Sequence, residues 1–137
     1  MRAIELLTEY AKLTKRIHLL EIQIEAKREL AEALSGWPEG DRVQSSHEPD
    51  KIGRAVADLA DKELELVDMK LEAIGRMNEI EEMLRELTNP DYALVLEYKY
   101  IRGMTWDQTA DNMFCTPRWA MILRDRALRA MDERMNE

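Results

Sequence analysis

GMTWDQTADNMFCTPRWAMILRDRALRAM, from Gly103 to Met131, holds two helix starts separated by one tight corner. The tetrad TWDQ is a capping box: the Thr105 hydroxyl can accept from the Gln108 amide while the Gln108 side chain returns to the Thr105 amide. Thr116 and Pro117 repeat the signal, a capping hydroxyl followed by a residue pre-set for the first helical position. The pattern predicts short helices over Trp106 to Met113 and Pro117 to about Arg134. Asn89 and Pro90 start a third helix before them, which runs to Arg102 and is closed by Gly103. Three short amphipathic helices with a corner between the last two form a helix-turn-helix domain.

In the last helix, Ala120, Leu123, Ala127, Leu128 and Met131 recur at steps of three and four and face inward. Trp106 and Ala110, with Leu96 and Ile101 of the preceding helix, complete the expected core. The outward face near the helix start then carries Arg118, Met121, Ile122 and Asp125. Arg118 suits a guanine edge or a phosphate, and Met121 or Ile122 suits a thymine methyl. Exposed apolar side chains at these positions equally suit a protein partner.

Upstream of Asn89 the periodicity changes to heptads. Leu6, Tyr10, Leu13, Ile17, Leu20, Ile24, Ala31 and Leu34 form one seam, broken only by Lys27, and the helix that carries it is about 50 Å long. Ile52, Val56, Leu59, Leu66, Ala73, Met77, Ile80, Leu84 and Leu87 form a second, with Glu63 and Lys70 intruding and Asp50 as the expected N-cap. Between them, Ser35 to Asp50 collects Gly36, Pro38, Gly40 and Pro49 and reads as a loop. Beside the second seam run Leu64, Val67, Leu71 and Ile74, which widen the apolar face beyond what one partner helix covers. The expected architecture is all-α: a long antiparallel helical hairpin over residues 1–88, followed by a helix-turn-helix domain over residues 89–137. The surplus stripe at Leu64, Val67, Leu71 and Ile74 is expected to meet a second copy, the C-terminal domain or both; as the self-association element it has a homodimer as its simplest closed form and a higher homo-oligomer as the alternative.

Composition fits this plan. Of 137 residues, 45% are hydrophobic and 35% charged, with only five Gly and four Pro, a balance that favours long helices. The longest apolar runs, Tyr92 to Leu96 and Trp119 to Leu123, are far shorter than the ~20 residues that span a bilayer. The start MRAIELLTEYAKL lacks the continuous apolar core of a secretory signal. The single Cys115 suits a reducing compartment, so the expected location is cytoplasmic. No catalytic or metal constellation stands out. His18 lies on the first helix and His47 in the loop, each without convergent ligands, while Glu81 and Glu82 diverge on a helix and no glycine-rich phosphate loop is present. Neither an enzyme nor a cofactor is expected.

The formal net charge of −8 is unevenly spread. Residues 1–89 hold 13 Lys and Arg against 20 Asp and Glu, whereas residues 90–137 hold 7 against 8. Within the last helix Arg118, Arg124, Arg126 and Arg129 outweigh Asp125, placing positive charge where phosphates need it. Thr116, Arg118, Met121, Ile122, Arg124 and Arg126 are therefore the expected DNA-contacting residues.

From Tyr98 to Met131 the chain resembles region four of bacterial sigma factors. "LEYKYIRGMTWDQTADNM" with the later "RALRAM", and "DRVQSS" before "DKIGRAV", resemble the phage late-gene transcription regulators of the ArpU and RinA type. The resemblance implies a phage or prophage regulator in a bacterial host cell, bound to double-stranded promoter DNA, with host RNA polymerase as a second partner. Thr109 departs from the family's Ile or Val, Ala120 from a larger aliphatic residue, and Phe114 from the Asn or Gly that a left-handed corner favours. Pro117, Met121 and Ile122 stand at outward positions that sigma factors fill with charged or polar residues. Two alternatives remain: an adaptor that binds polymerase or a sigma factor with little DNA affinity, and a packaging protein of the small-terminase kind.

Overall fold

The computed structural model describes residues 2–35 and 48–136. Five α-helices and no strand occur among the described residues, as the all-α expectation requires. They are α1 (Ala3–Ser35), α2 (Glu48–Arg85), α3 (Pro90–Leu96), α4 (Trp106–Asn112) and α5 (Pro117–Met135). A single π-helical turn, Glu97–Ile101, extends α3. The connection read as a loop, with its Val43 to Ser46 segment and His47, lies for the most part outside the described residues. Helix α2 already begins at Glu48, so Asp50 sits inside its first turn and is not the cap.

By contacts the chain divides into two compact units, one of Lys15–Leu71 and one of Met1–Thr14 with Glu72–Glu137. In the first unit α1 and α2 run antiparallel, and the residues that break their heptads explain the register. Glu21 pairs with Lys70 at 3.7 Å and Arg28 with Glu63 at 2.7 Å, partners falling along α2 as they rise along α1. Lys27, the break in the first seam, pairs with Asp58 at 2.7 Å. Each pair is about half exposed, so solvent screening leaves it little weight in stability. Their larger effect is on specificity, because a slip of one turn would set Lys27 against Arg54 or Lys62 and leave Arg28 and Glu21 opposite apolar residues. Ile17, Leu20 and Ile24 on the α1 seam are buried. Ile52 and Val56 are exposed.

In the second unit the short helices enclose the start of α1 and the end of α2. Leu7, Ile80, Val95, Leu96 and Met131 are fully buried. The free amide at the start of α1 is satisfied from α5, where Asp132 Oδ1 accepts from the Ala3 N–H at 2.7 Å, a carboxylate at the positive end of a helix. Burial, then the charges of Glu97 and Glu81, push the Tyr10 phenol above its ordinary value, so it stays neutral. This unit reaches further back along the chain than the Asn89–Pro90 junction, because the surface that α3 and α5 must bury is matched by Ala3, Leu6, Leu7 and Tyr10.

The caps form as expected. Asn89 Oδ1 accepts from the Asp91 N–H at 2.9 Å. Thr105 Oγ1 accepts from the Gln108 N–H at 3.1 Å while Gln108 Oε1 accepts from the Thr105 N–H at 3.0 Å. Thr116 Oγ1 accepts from the Trp119 N–H at 3.1 Å. Within the π turn the Arg102 N–H donates to the Glu97 carbonyl at 2.9 Å, and Gly103 ends the element at φ +66°. An i−5 bond in place of the ordinary i−4 bond inserts one residue, which no single side chain in the sequence announces.

Ala110, Leu123 and Ala127 are buried with Leu96, as expected, while Ile101 and Trp106 are only half-buried. Thr109 is fully buried, and its hydroxyl finds no hydrogen-bond partner among the described residues. A buried hydroxyl without a partner costs about 1–3 kcal/mol. Thr109→Val keeps the branched shape, removes the orphan oxygen and is expected to raise the unfolding free energy by about 1 kcal/mol. Urea denaturation followed by circular dichroism measures this, and a loss of stability would mean that the hydroxyl has a partner in solution.

Candidate nucleic-acid interface

The corner between α4 and α5 sets the direction of the last helix. The Cys115 N–H donates to the Ala110 carbonyl at 3.0 Å and the Phe114 N–H to the Asp111 carbonyl at 3.3 Å. This bond pair defines a Schellman turn, whose residue beyond the cap adopts a left-handed conformation. Phe114 holds that place at φ 55° with its side chain 96% exposed. An L-residue there costs about 1–2 kcal/mol, and no packing offsets it. Phe114→Gly is expected to raise the thermal midpoint, by the equivalent of about 1 kcal/mol. Calorimetry that found the variant less stable would contradict the strain.

On α5 the inward row is Ala120, Leu123, Ala127 and Met131, all buried. The small side chains at 110 and 120 let α4 and α5 approach closely. Outward from this row lie Thr116, Arg118 and Met121, exposed, and Ile122, half-buried. Thr116 uses its oxygen as the cap and keeps its hydroxyl proton for an external acceptor. Arg118 makes no hydrogen bond or ion pair among the described residues, so its guanidinium is available at the first turn.

The remaining expected contacts divide. Arg126 lies with its guanidinium 5.2 Å from the centre of the exposed Trp119 ring, forming a planar cationic surface two turns along α5. Arg124 is drawn into the domain. It donates to Asp125 Oδ1 at 3.0 Å and to the Tyr100 hydroxyl at 3.4 Å, and it lies 5.2 Å from the Trp106 ring centre. Lys99 covers the same ring at 4.6 Å and also donates to the Met104 carbonyl at 3.1 Å. Two cations on one indole explain why Trp106 is half-buried instead of enclosed: their charged heads need water. Trp119 was counted only as part of an apolar run. Its seven-residue spacing from Arg126 was the signal, since that spacing returns to the same side of a helix.

Leu64, Val67, Leu71 and Ile74 are each more than half exposed, as a surplus stripe should be. Among the described residues no group of three or more His, Cys, Asp or Glu converges on a metal-sized site. No described helix is long and apolar enough to cross a membrane.

A family model described as protein of unknown function (DUF1492) matches residues 41–132. The chain belongs to the DUF1492 family. The match to DUF1492 takes in most of α5 and the whole of α2, α3 and α4, so the outward face of α5 lies within the family region and α1 precedes it. No curated protein and no solved structure matches the chain.

Proposed function

We propose that this protein is a phage or prophage transcription regulator that binds promoter DNA through a helix-turn-helix resembling sigma region four and recruits host RNA polymerase to late genes. The observation that carries the reading is the free, exposed Arg118 on the first turn of α5, with the Trp119–Arg126 surface on the same helix. A helix of this size enters the major groove, with its N-terminal residues at the base edges and its later cations at flanking phosphates. No chemistry is required of the protein; recruitment works by raising occupancy. The acidic helices make affinity for one half-site modest, and self-association raises it by presenting two.

The adaptor alternative has its own support in the exposed Phe114, Trp119 and Met121, since aromatic and Met side chains are enriched at protein interfaces. Electrophoretic shifts with phage promoter fragments, run beside capture of purified RNA polymerase, separate the two. DNA binding that Arg118→Ala weakens supports the regulator. Capture of polymerase that Ile122→Asp abolishes, without any DNA shift, supports the adaptor.

A further inference from the structure

The unit Lys15–Leu71 exposes two apolar stripes, and its own ion pairs show that they lie on opposite sides. On α1, Leu19, Ile22 and Leu30 are each more than half exposed. At roughly 100° per residue, Leu19 lies about 180° from Arg28 and Leu30 about 200° from it. On α2, Leu64, Val67 and Leu71 are more than half exposed. Val67 lies only about 40° from Glu63 but about 180° from Asp58. Arg28 and Glu63 are bonded to each other at 2.7 Å, which fixes one side of the hairpin. The α2 stripe is on that side and the α1 stripe is on the other.

Charge distinguishes the stripes as well. Lys15 and Arg16 stand at the start of the α1 stripe and Glu29 near its far end, whereas Asp61, Glu65 and Asp68 border the α2 stripe, all six exposed and none in an ion pair among the described residues. Pairing the α2 stripe with itself across a two-fold axis would bring two rows of carboxylates together, an arrangement that like-charge repulsion opposes. Pairing the α1 stripe of one copy with the α2 stripe of the next sets the two cations beside the three carboxylates and buries six large apolar side chains.

We infer that the protein assembles head to tail, the Leu19, Ile22 and Leu30 stripe of one copy seating on the Leu64, Val67 and Leu71 stripe of the next. A heterologous contact of this kind leaves one stripe free at each end of a dimer, so it continues until it closes as a ring or extends. The assembly does not depend on DNA binding and is read without DNA.

Complementation tests it. Ile22→Glu blocks one stripe and Leu71→Glu the other; both change exposed positions, so helicity by circular dichroism should be retained. In sedimentation equilibrium the intact protein is expected to exceed twice the chain mass of 16.1 kDa. Each variant alone is expected at the mass of one chain. An equimolar mixture is expected to form a two-chain species, because one intact stripe of each kind remains. Should either variant lose helicity, Leu19→Gln and Val67→Gln, also at exposed positions, replace them with the same expected complementation. A monomeric intact protein overturns the inference. So does a mixture that stays monomeric, or an Ile22→Glu variant that assembles like the intact protein while Leu71→Glu does not, which is the signature of symmetric α2 pairing.

Discussion

Leu96→Ala is expected to lower the unfolding free energy by about 2–5 kcal/mol, the largest stability effect anticipated for a single side chain in this protein. Leu96 is fully buried, and it ends the regular part of α3 just where the π turn begins. Its neighbours in the core, Val95 and Met131, are themselves fully buried. Truncation therefore removes apolar contacts and leaves a cavity that close-packed surroundings fill poorly. The same core carries the inward row of α5, so the loss is expected to loosen the helix that presents Arg118. Urea denaturation monitored by circular dichroism measures the change. A cost below about 1 kcal/mol would mean that α3 and α5 do not share this core.

The second large effect is on binding. Arg118→Ala is expected to weaken specific DNA binding by about 1–3 kcal/mol, and to relax preference at one base position if the guanidinium makes a bidentate base contact. Arg118 suits this role because nothing in the domain competes for it. Arg124, by contrast, is already committed to Asp125, Tyr100 and Trp106. Its replacement should act first on stability. Fluorescence anisotropy on promoter fragments and on scrambled fragments of equal length measures both parts of the prediction. If Arg118→Ala binds all sequences as the parent protein does, Arg118 makes no base contact.

Much of this arrangement was legible in the residues. The caps at Asn89, Thr105 and Thr116 are local chemistry, written within three or four residues, and all three form. The inward row of α5 follows from helical period and is buried as expected except at Leu128, which is half-buried. What was not legible depends on partners far along the chain. Lys27, Glu63 and Lys70 read as defects in their seams, because only the opposite helix supplies Asp58, Arg28 and Glu21. Trp106 was expected in the core; its two cations come from Lys99 and Arg124, on either side of it in sequence. Arg124 was grouped with the DNA contacts on charge, and charge gives no sign of its bonds to Asp125 and Tyr100. The strain at Phe114 was expected from its residue type, but its near-complete exposure was not.

The salt dependence of DNA binding tests the central claim most directly. On the proposed function the protein is expected to lose affinity steeply as salt rises, the logarithm of the binding constant falling with a slope of roughly −2 to −4 per bound copy, as a few arginine contacts to phosphate require. The Arg126→Ala variant should show a slope smaller by about one. Binding that is absent at low salt, or that stays constant as salt rises, would contradict the assignment of α5 as a DNA-contacting helix.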